Sequence, residues 1–113
     1  MVINGIELKF ALYNADEEDT KKKYFDELNK MQTILASLPE GTEQEKNAYL
    51  CGKIKQFFDN VFGKGTGDKV CGKENDLLVH VDAYDQIVSE QMRQNKKFRE
   101  IMGHMKSLKK AGK

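Results

Sequence analysis

The segment Gly67–Glu74 reads G-D-K-V-C-G-K-E and meets the first seven positions of the phosphate-binding pattern G-x-x-x-x-G-K-[S/T], failing at the eighth. In a working phosphate loop a strand delivers the chain, glycines expose backbone N–H groups to the phosphates, and the final hydroxyl ligates magnesium at a helix start. Here the preceding residues, KIKQFFDNVF, form a helical pattern, and Glu74 places a carboxylate where the hydroxyl belongs. The chain also has too few strand signals for a parallel sheet. The residues that could bind a metal are Cys51, Cys71, His80 and His104, separated by nineteen, eight and twenty-three residues. Structural zinc sites draw ligands as close pairs, because two ligands on one turn lower the entropy of closing the site. Neither histidine has an evident nucleophile or orienting acid beside it. The sequence therefore predicts no catalytic, cofactor or metal site, and a non-enzymatic protein.

If not a phosphate loop, the segment from Gly63 to Asn75 is an interhelical connection. Gly63 closes one helix in the left-handed conformation, Thr66 caps a single turn through Val70, Gly72 ends it, and Asn75 or Asp76 caps the next helix.

The elements around this connection follow from periodicity. Asn4-Gly5 is the dipeptide favoured in two-residue type I′ hairpins. After it Ile6, Leu8, Phe10 and Leu12 alternate with Glu7, Lys9 and Ala11, which predicts a hairpin over residues 1–12 with one apolar face. Asn14 caps a first helix to about residue 38, with Asp16, Glu17 and Glu18 in its first turn and Tyr24, Leu28, Met31, Leu35 and Leu38 inward. Thr42 and Glu45 form a capping box for a second helix, 42–62, that turns Leu50, Ile54, Phe57, Phe58 and Val61 to the core. A third long helix covers 76–109 with Leu77, Val81, Tyr84, Val88 and Met92 inward, followed by Phe98, Ile101, Met102, Met105 and Leu108. The polar run 93–97 is the place for a bend. The prediction is a single domain, 1–113, mainly α with a small N-terminal β-hairpin and three main helices.

The charge totals exclude a broad class of partners. With 19 Lys and Arg against 18 Asp and Glu, no overall charge draws the chain to nucleic acid or an anionic membrane. The apolar runs are far shorter than the roughly 20 residues needed to span a bilayer, and no signal-like leader is evident, which predicts a cytoplasmic protein. Two cysteines are too few for a secreted disulfide scaffold. Locally, however, Arg93, Lys96, Lys97, Arg99, Lys106, Lys109, Lys110 and Lys113 face a single acid, Glu100. Such a stretch suits a solvated helix end. It also supports an alternative reading as a small nucleic-acid-binding or regulatory protein, against which stands Phe98 as the segment's only aromatic. Methionine-rich apolar faces adapt to varied partners, so Phe98, Ile101, Met102, Met105 and Leu108 are predicted to bind a partner. The apolar face of the hairpin, Ile6, Leu8 and Phe10, is predicted to mediate self-association, since two strands alone are marginally stable.

The order of parts, an "INGIELKFAL" hairpin, an acidic helix, the "FFDNVFGKGTGDKVCGKEND" junction and a final helix with a basic tail, resembles the small tail assembly chaperone-like proteins of Gram-positive siphophages and prophages. The resemblance implies a non-enzymatic protein that binds the aggregation-prone tape measure protein in the cytoplasm of the bacterial host while the tail tube polymerises. It implies a homo-oligomer that is absent from the mature virion. It further implies an extended form made by ribosomal frameshifting near the C-terminus, where KSLKKAGK includes a Lys-Lys pair of the kind a slippery codon run could encode.

Overall fold

The computed structural model describes residues 1–111, with side chains through Leu108; Lys113 of the basic tail lies outside the described residues, as do the side chains of Lys109 and Lys110. Asn4 and Gly5 adopt φ of 50° and 81°, as a type I′ turn requires, and join β1 (Val2–Ile3) to β2 (Ile6–Glu7). The register pairs Val2 with Glu7 and Ile3 with Ile6. One further step is closed by Leu8 N–H to the Met1 carbonyl, 2.7 Å, and the Met1 ammonium to the Leu8 carbonyl, 2.8 Å. Beyond it no neighbouring strand follows among the described residues, so the predicted twelve-residue hairpin is shorter than its alternation suggested. The alternation has another cause: Leu8, Phe10 and Leu12 point inward onto the helices and are buried with Ile3 in the core.

A 3-10 turn at Ala15–Glu17, capped by Asn14 Oδ1 accepting from the Asp16 N–H, leads into α1 (Glu18–Ala36). Helix α2 (Glu43–Phe62) opens on the full capping box of Thr42 and Glu45. It buries Leu50, Cys51, Ile54, Phe57, Phe58 and Val61. Gly63, at φ 120°, ends it. The short α3 (Thr66–Cys71) lies between Gly65 and Gly72, both at positive φ; Thr66 is inside the helix and Gly65 holds the capping position. Helix α4 (Leu77–Ala111) starts with Asp76 Oδ1 accepting from the Val79 N–H at 3.3 Å.

Two expectations for the helices change. On α1 the inward line runs Tyr24, Glu27, Met31 and half-buried Ile34, while Leu35 lies off that line and is exposed, as is Leu38, which falls beyond the end of the helix at Ala36. The buried Glu27 carboxylate is satisfied by Lys30 Nζ at 2.7 Å and Asn60 Nδ2 at 2.9 Å. On α4 the helix runs without a break through 93–97, where the bend was expected. The segment contains no proline or glycine, and its side chains bridge successive turns, Arg93 to Glu90 and Lys96 to Glu100.

The architecture of the described residues is thus mainly helical, with a two-stranded antiparallel hairpin and four α-helices. Helix α2 is central and packs against α1, α3 and α4. Aromatic rings knit the layers: Phe10 meets Tyr24 edge to face at 4.8 Å, Tyr24 meets Phe57 at 5.8 Å, and Phe57 meets Tyr84 at 5.4 Å. The molecule measures 65 × 27 × 22 Å with a radius of gyration of 17.3 Å. A compact chain of this length has a radius near 13 Å. Helix α4 accounts for the excess, since 35 residues at about 1.5 Å each extend well past the body. No helix among the described residues is long and apolar enough to cross a membrane.

Candidate functional site: the exposed seam of the long helix

The residues with the most suggestive chemistry serve the packing. Gly67 lies where α3 presses on α2: a Cβ there would stand 2.5 Å from the Lys55 carbonyl oxygen. Its N–H, which a phosphate loop would offer to its ligand, donates to Asp59 Oδ1 at 2.7 Å. Cys51 and Cys71 are buried. Burial raises both thiols, Cys71 to about 11, so neither is a ready nucleophile. His80 is buried against the core with Nδ1 2.6 Å from the Asp76 carbonyl oxygen, which makes Nδ1 the protonated nitrogen, and its Nε2 has no hydrogen-bond partner. His104 lies on the exposed distal part of α4. Among the described residues no cluster of three or more His, Cys, Asp or Glu side chains is placed to hold a metal ion.

What remains is a stripe on α4. Counting back from Leu108 in alternating steps of three and four gives Met105, Ile101, Phe98, Gln94, Gln91, Ile87, Tyr84, His80 and Leu77. This is a continuous heptad seam with Leu77, Tyr84, Gln91, Phe98 and Met105 at a and the others at d. Its two halves have different fates. From Leu77 to Gln94 the seam is buried or half-buried against the body, with His80 and Ile87 fully enclosed. From Phe98 onward it lies in the open: Phe98, Ile101, Met105 and Leu108 are 43, 46, 54 and 57% exposed, with Met102 beside them at 36%.

The two halves meet at a junction made by the N-terminal segment. Gln94 accepts from the Leu12 N–H through Oε1 and donates to the Phe10 carbonyl through Nε2, both at 2.8 Å. Its amide thus pairs with the extended chain as a neighbouring strand would. Tyr13 donates to Asn95 Oδ1 at 2.7 Å, and its ring stacks on Phe98 with centroids 4.3 Å apart. Tyr24 donates to Gln91 Oε1 at 2.6 Å. Between the N-terminal segment and α4 lies a groove of about 580 Å³ whose walls include Met1, Phe10, Tyr13, Arg93, Lys97 and Ile101. The groove opens directly onto the exposed half of the seam.

Of the cations on this part of α4, Lys97 stands at a g position on the edge of the seam, whereas Arg93 falls at c, Lys96 at f, and Arg99 and Lys106 at b, away from it. Arg93 is engaged by Glu90 through two hydrogen bonds of 2.7 and 2.8 Å, which hold the Glu90 carboxyl below its usual range. Lys96 is 3.9 Å from Glu100. Lys97, Arg99 and Lys106 make no ion pair among the described residues.

Of the residues singled out from sequence, the structure therefore gathers Phe98, Ile101, Met102, Met105 and Leu108 on one exposed face. It disperses the others. Leu8 and Phe10 are each only 5% exposed, so the hairpin face proposed for self-association is covered by the chain's own helices; Ile6 is half-buried beside it. Met92, expected inward, faces solvent, because the inward line runs through Ile87, Gln91 and Gln94. Gln91, Gln94 and Asn95 were missed because a count of apolar letters passes over amides, and Tyr13 because it falls between the alternating segment and the first helix. The heptad count from the helix end would have found the two glutamines.

Residues 4–111 match the Family of unknown function (DUF6673), and the chain belongs to that family. No curated protein and no solved structure matches it.

Proposed function

We propose that this chain is a non-enzymatic partner-binding protein of phage or prophage tail assembly, which holds the tape measure protein on the exposed half of the α4 seam in the host cytoplasm and leaves before the virion is complete. The observation that carries the reading is the exposed apolar row Phe98, Ile101, Met105 and Leu108, which continues on one long helix from the Tyr13 stack on Phe98. Exposed apolar patches of this kind mark interaction surfaces in soluble proteins. The methionines suit a partner whose surface is long and varied. The self-association that belongs with the reading would use surfaces other than Leu8 and Phe10, such as Leu35 and Leu38 at the end of α1.

A second reading draws support from one feature. The stacked Tyr13 and Phe98 rings are both exposed, with Lys21 Nζ 5.8 Å from the Tyr13 centroid and Lys97 beside the groove. Aromatic faces among cations are how single-stranded nucleic acid is bound without sequence preference.

Co-expression with a tape measure fragment separates the readings. The chain should keep the fragment soluble, Met102→Ser with Met105→Ser should lose most of that effect without unfolding, and Lys109→Gln with Lys110→Gln should retain it. Loss on the lysine change with no loss on the methionine change would favour nucleic acid instead.

A further inference from the structure

The two cysteines stand apart in sequence, but the contact between α2 and α3 sets them in register. At the closest approach a Cβ on Gly67 would lie 2.8 Å from the Lys55 Cα, so the two backbones touch there. Asp59, one turn later on α2, accepts from the Gly67 N–H at 2.7 Å, and Lys55 Nζ reaches Asp68 Oδ1 at 3.2 Å. The short helix therefore runs back along α2 from the Gly63–Gly65 turn. Four residues before Lys55, on the same face of α2, is Cys51; four residues after Gly67, on the same face of α3, is Cys71. Each step is about 6 Å of helix, taken in the same direction in space. Both cysteines are buried, Cys51 fully and Cys71 with 4% exposure. Burial raises the Cys71 thiol, Lys55 lowers it, and charge on Cys51 raises it again, an influence that needs the two sulfurs near each other.

The surroundings of the pair suit thiol chemistry once α3 moves. Burial raises both thiols, and Lys55 works against it at both, so a thiolate has a cation beside it when water enters. Helix α3 has only six residues. Besides its packing it is held by the Lys55 and Asp59 contacts and by Asn4 Nδ2 donating to the Val70 carbonyl at 2.7 Å. Gly72, at φ 79°, follows Cys71 directly, and residues 72–76 are exposed. An element of this kind opens locally at a free energy below that of global unfolding. Opening its last turn brings Cys71 to solvent.

We propose that Cys51 and Cys71 are a dithiol site for thiol–disulfide exchange, whose product is an intramolecular disulfide that fastens α3 to α2. The co-reactant is a small-molecule disulfide. With the last turn of α3 open, the Cys71 thiolate attacks one sulfur of the reagent, whose S–S bond breaks and releases one thiolate. As α3 closes, the Cys51 thiolate attacks Cys71 Sγ of the mixed disulfide, forming the Cys51–Cys71 bond and releasing the second thiolate. The two thiol protons of the protein end on the two released thiols, and two electrons pass from the protein to the reagent. Thiol in excess reverses both steps. The loop closed by the bridge, residues 51–71, contains the whole of α3, so the disulfide rigidifies the shelf on which the Asn4 hairpin turn rests.

The test incubates the full native chain with excess glutathione disulfide, blocks the remaining thiols with iodoacetamide, and reads intact mass and a tryptic map. The main product should be a monomer two hydrogens lighter, with the Cys51 and Cys71 peptides joined, and dithiothreitol should restore the starting mass. Its thermal midpoint should rise by about 5 °C or more. Cys51→Ala should stop at a stable glutathione adduct on Cys71. An unreacted native chain, glutathione adducts without the bridge, covalent dimers, or bridging only in urea would each overturn the inference. So would a bridged form that melts below the reduced chain, since the bridge would then require α3 to leave α2.

Discussion

Gln94 does at the scale of one residue what a strand would do for the extended segment 8–13: a single side-chain amide satisfies one backbone donor and one backbone acceptor that no ladder reaches. It also receives help from below, since Gln94 Nε2 is 2.8 Å from Glu90 Oε2, tying the latch to the Glu90–Arg93 pair. Removing one side of a buried hydrogen bond leaves the other unsatisfied, at a cost of about 1–3 kcal/mol per group. Gln94→Ala strands both the Leu12 N–H and the Phe10 carbonyl. We expect urea denaturation to show a loss of about 2 kcal/mol or more, with amide exchange accelerated at Leu12. An unchanged midpoint would mean that the N-terminal segment is held by Leu8, Phe10 and Leu12 alone. His80 shows the limit of sequence at this scale. Its d position on the seam predicts burial, whereas its unpartnered Nε2 follows only from how α4 lies on the core.

At the scale of elements, what could be read from sequence is local and what could not depends on neighbours. The Asn4-Gly5 turn, the Asn14 cap and the Thr42–Glu45 box occur where expected, because each is satisfied within four residues of itself. The inward lines of α1 and α4 were misjudged at Leu35, Leu38 and Met92, because an apolar side chain at helical spacing is buried only where another element covers it. The length of the hairpin was misjudged for a related reason. Alternation reports a buried face, and Leu8 and Phe10 bury theirs against helices without a strand alongside. The glycine-rich connection gave a motif whose physical content is different. Gly67 is small so that α3 can sit on the backbone of α2, with Lys55 and Asp68 joined across the contact at 3.2 Å. Gly67→Ala forces a Cβ into a backbone carbonyl that cannot rotate away, so we expect thermal unfolding to report a loss of about 1–3 kcal/mol, with α3 the first element to open. Full retention of stability would show that α3 can lift from α2 without cost.

At the scale of the molecule, one helix belongs to two environments. The first half of α4 completes the core with Ile87, Ala83 and His80, and the second half carries the same heptad register into solvent. A chain gains no stability from apolar side chains it leaves exposed. On the proposed reading the distal row serves a partner outside the fold, and the elongated shape presents it clear of the body. This division is the central claim, and side-by-side urea denaturation of Ile87→Ala and Ile101→Ala tests it most directly. The two substitutions remove the same atoms from d positions two heptads apart on one helix. Ile87→Ala should cost about 2–5 kcal/mol, as truncation in a packed core does, and Ile101→Ala should stay within about 0.5 kcal/mol, as an exposed substitution does. Comparable losses from both would contradict the account, because they would mean that the distal half of α4 is packed against protein in the free chain and offers no open seam to a partner.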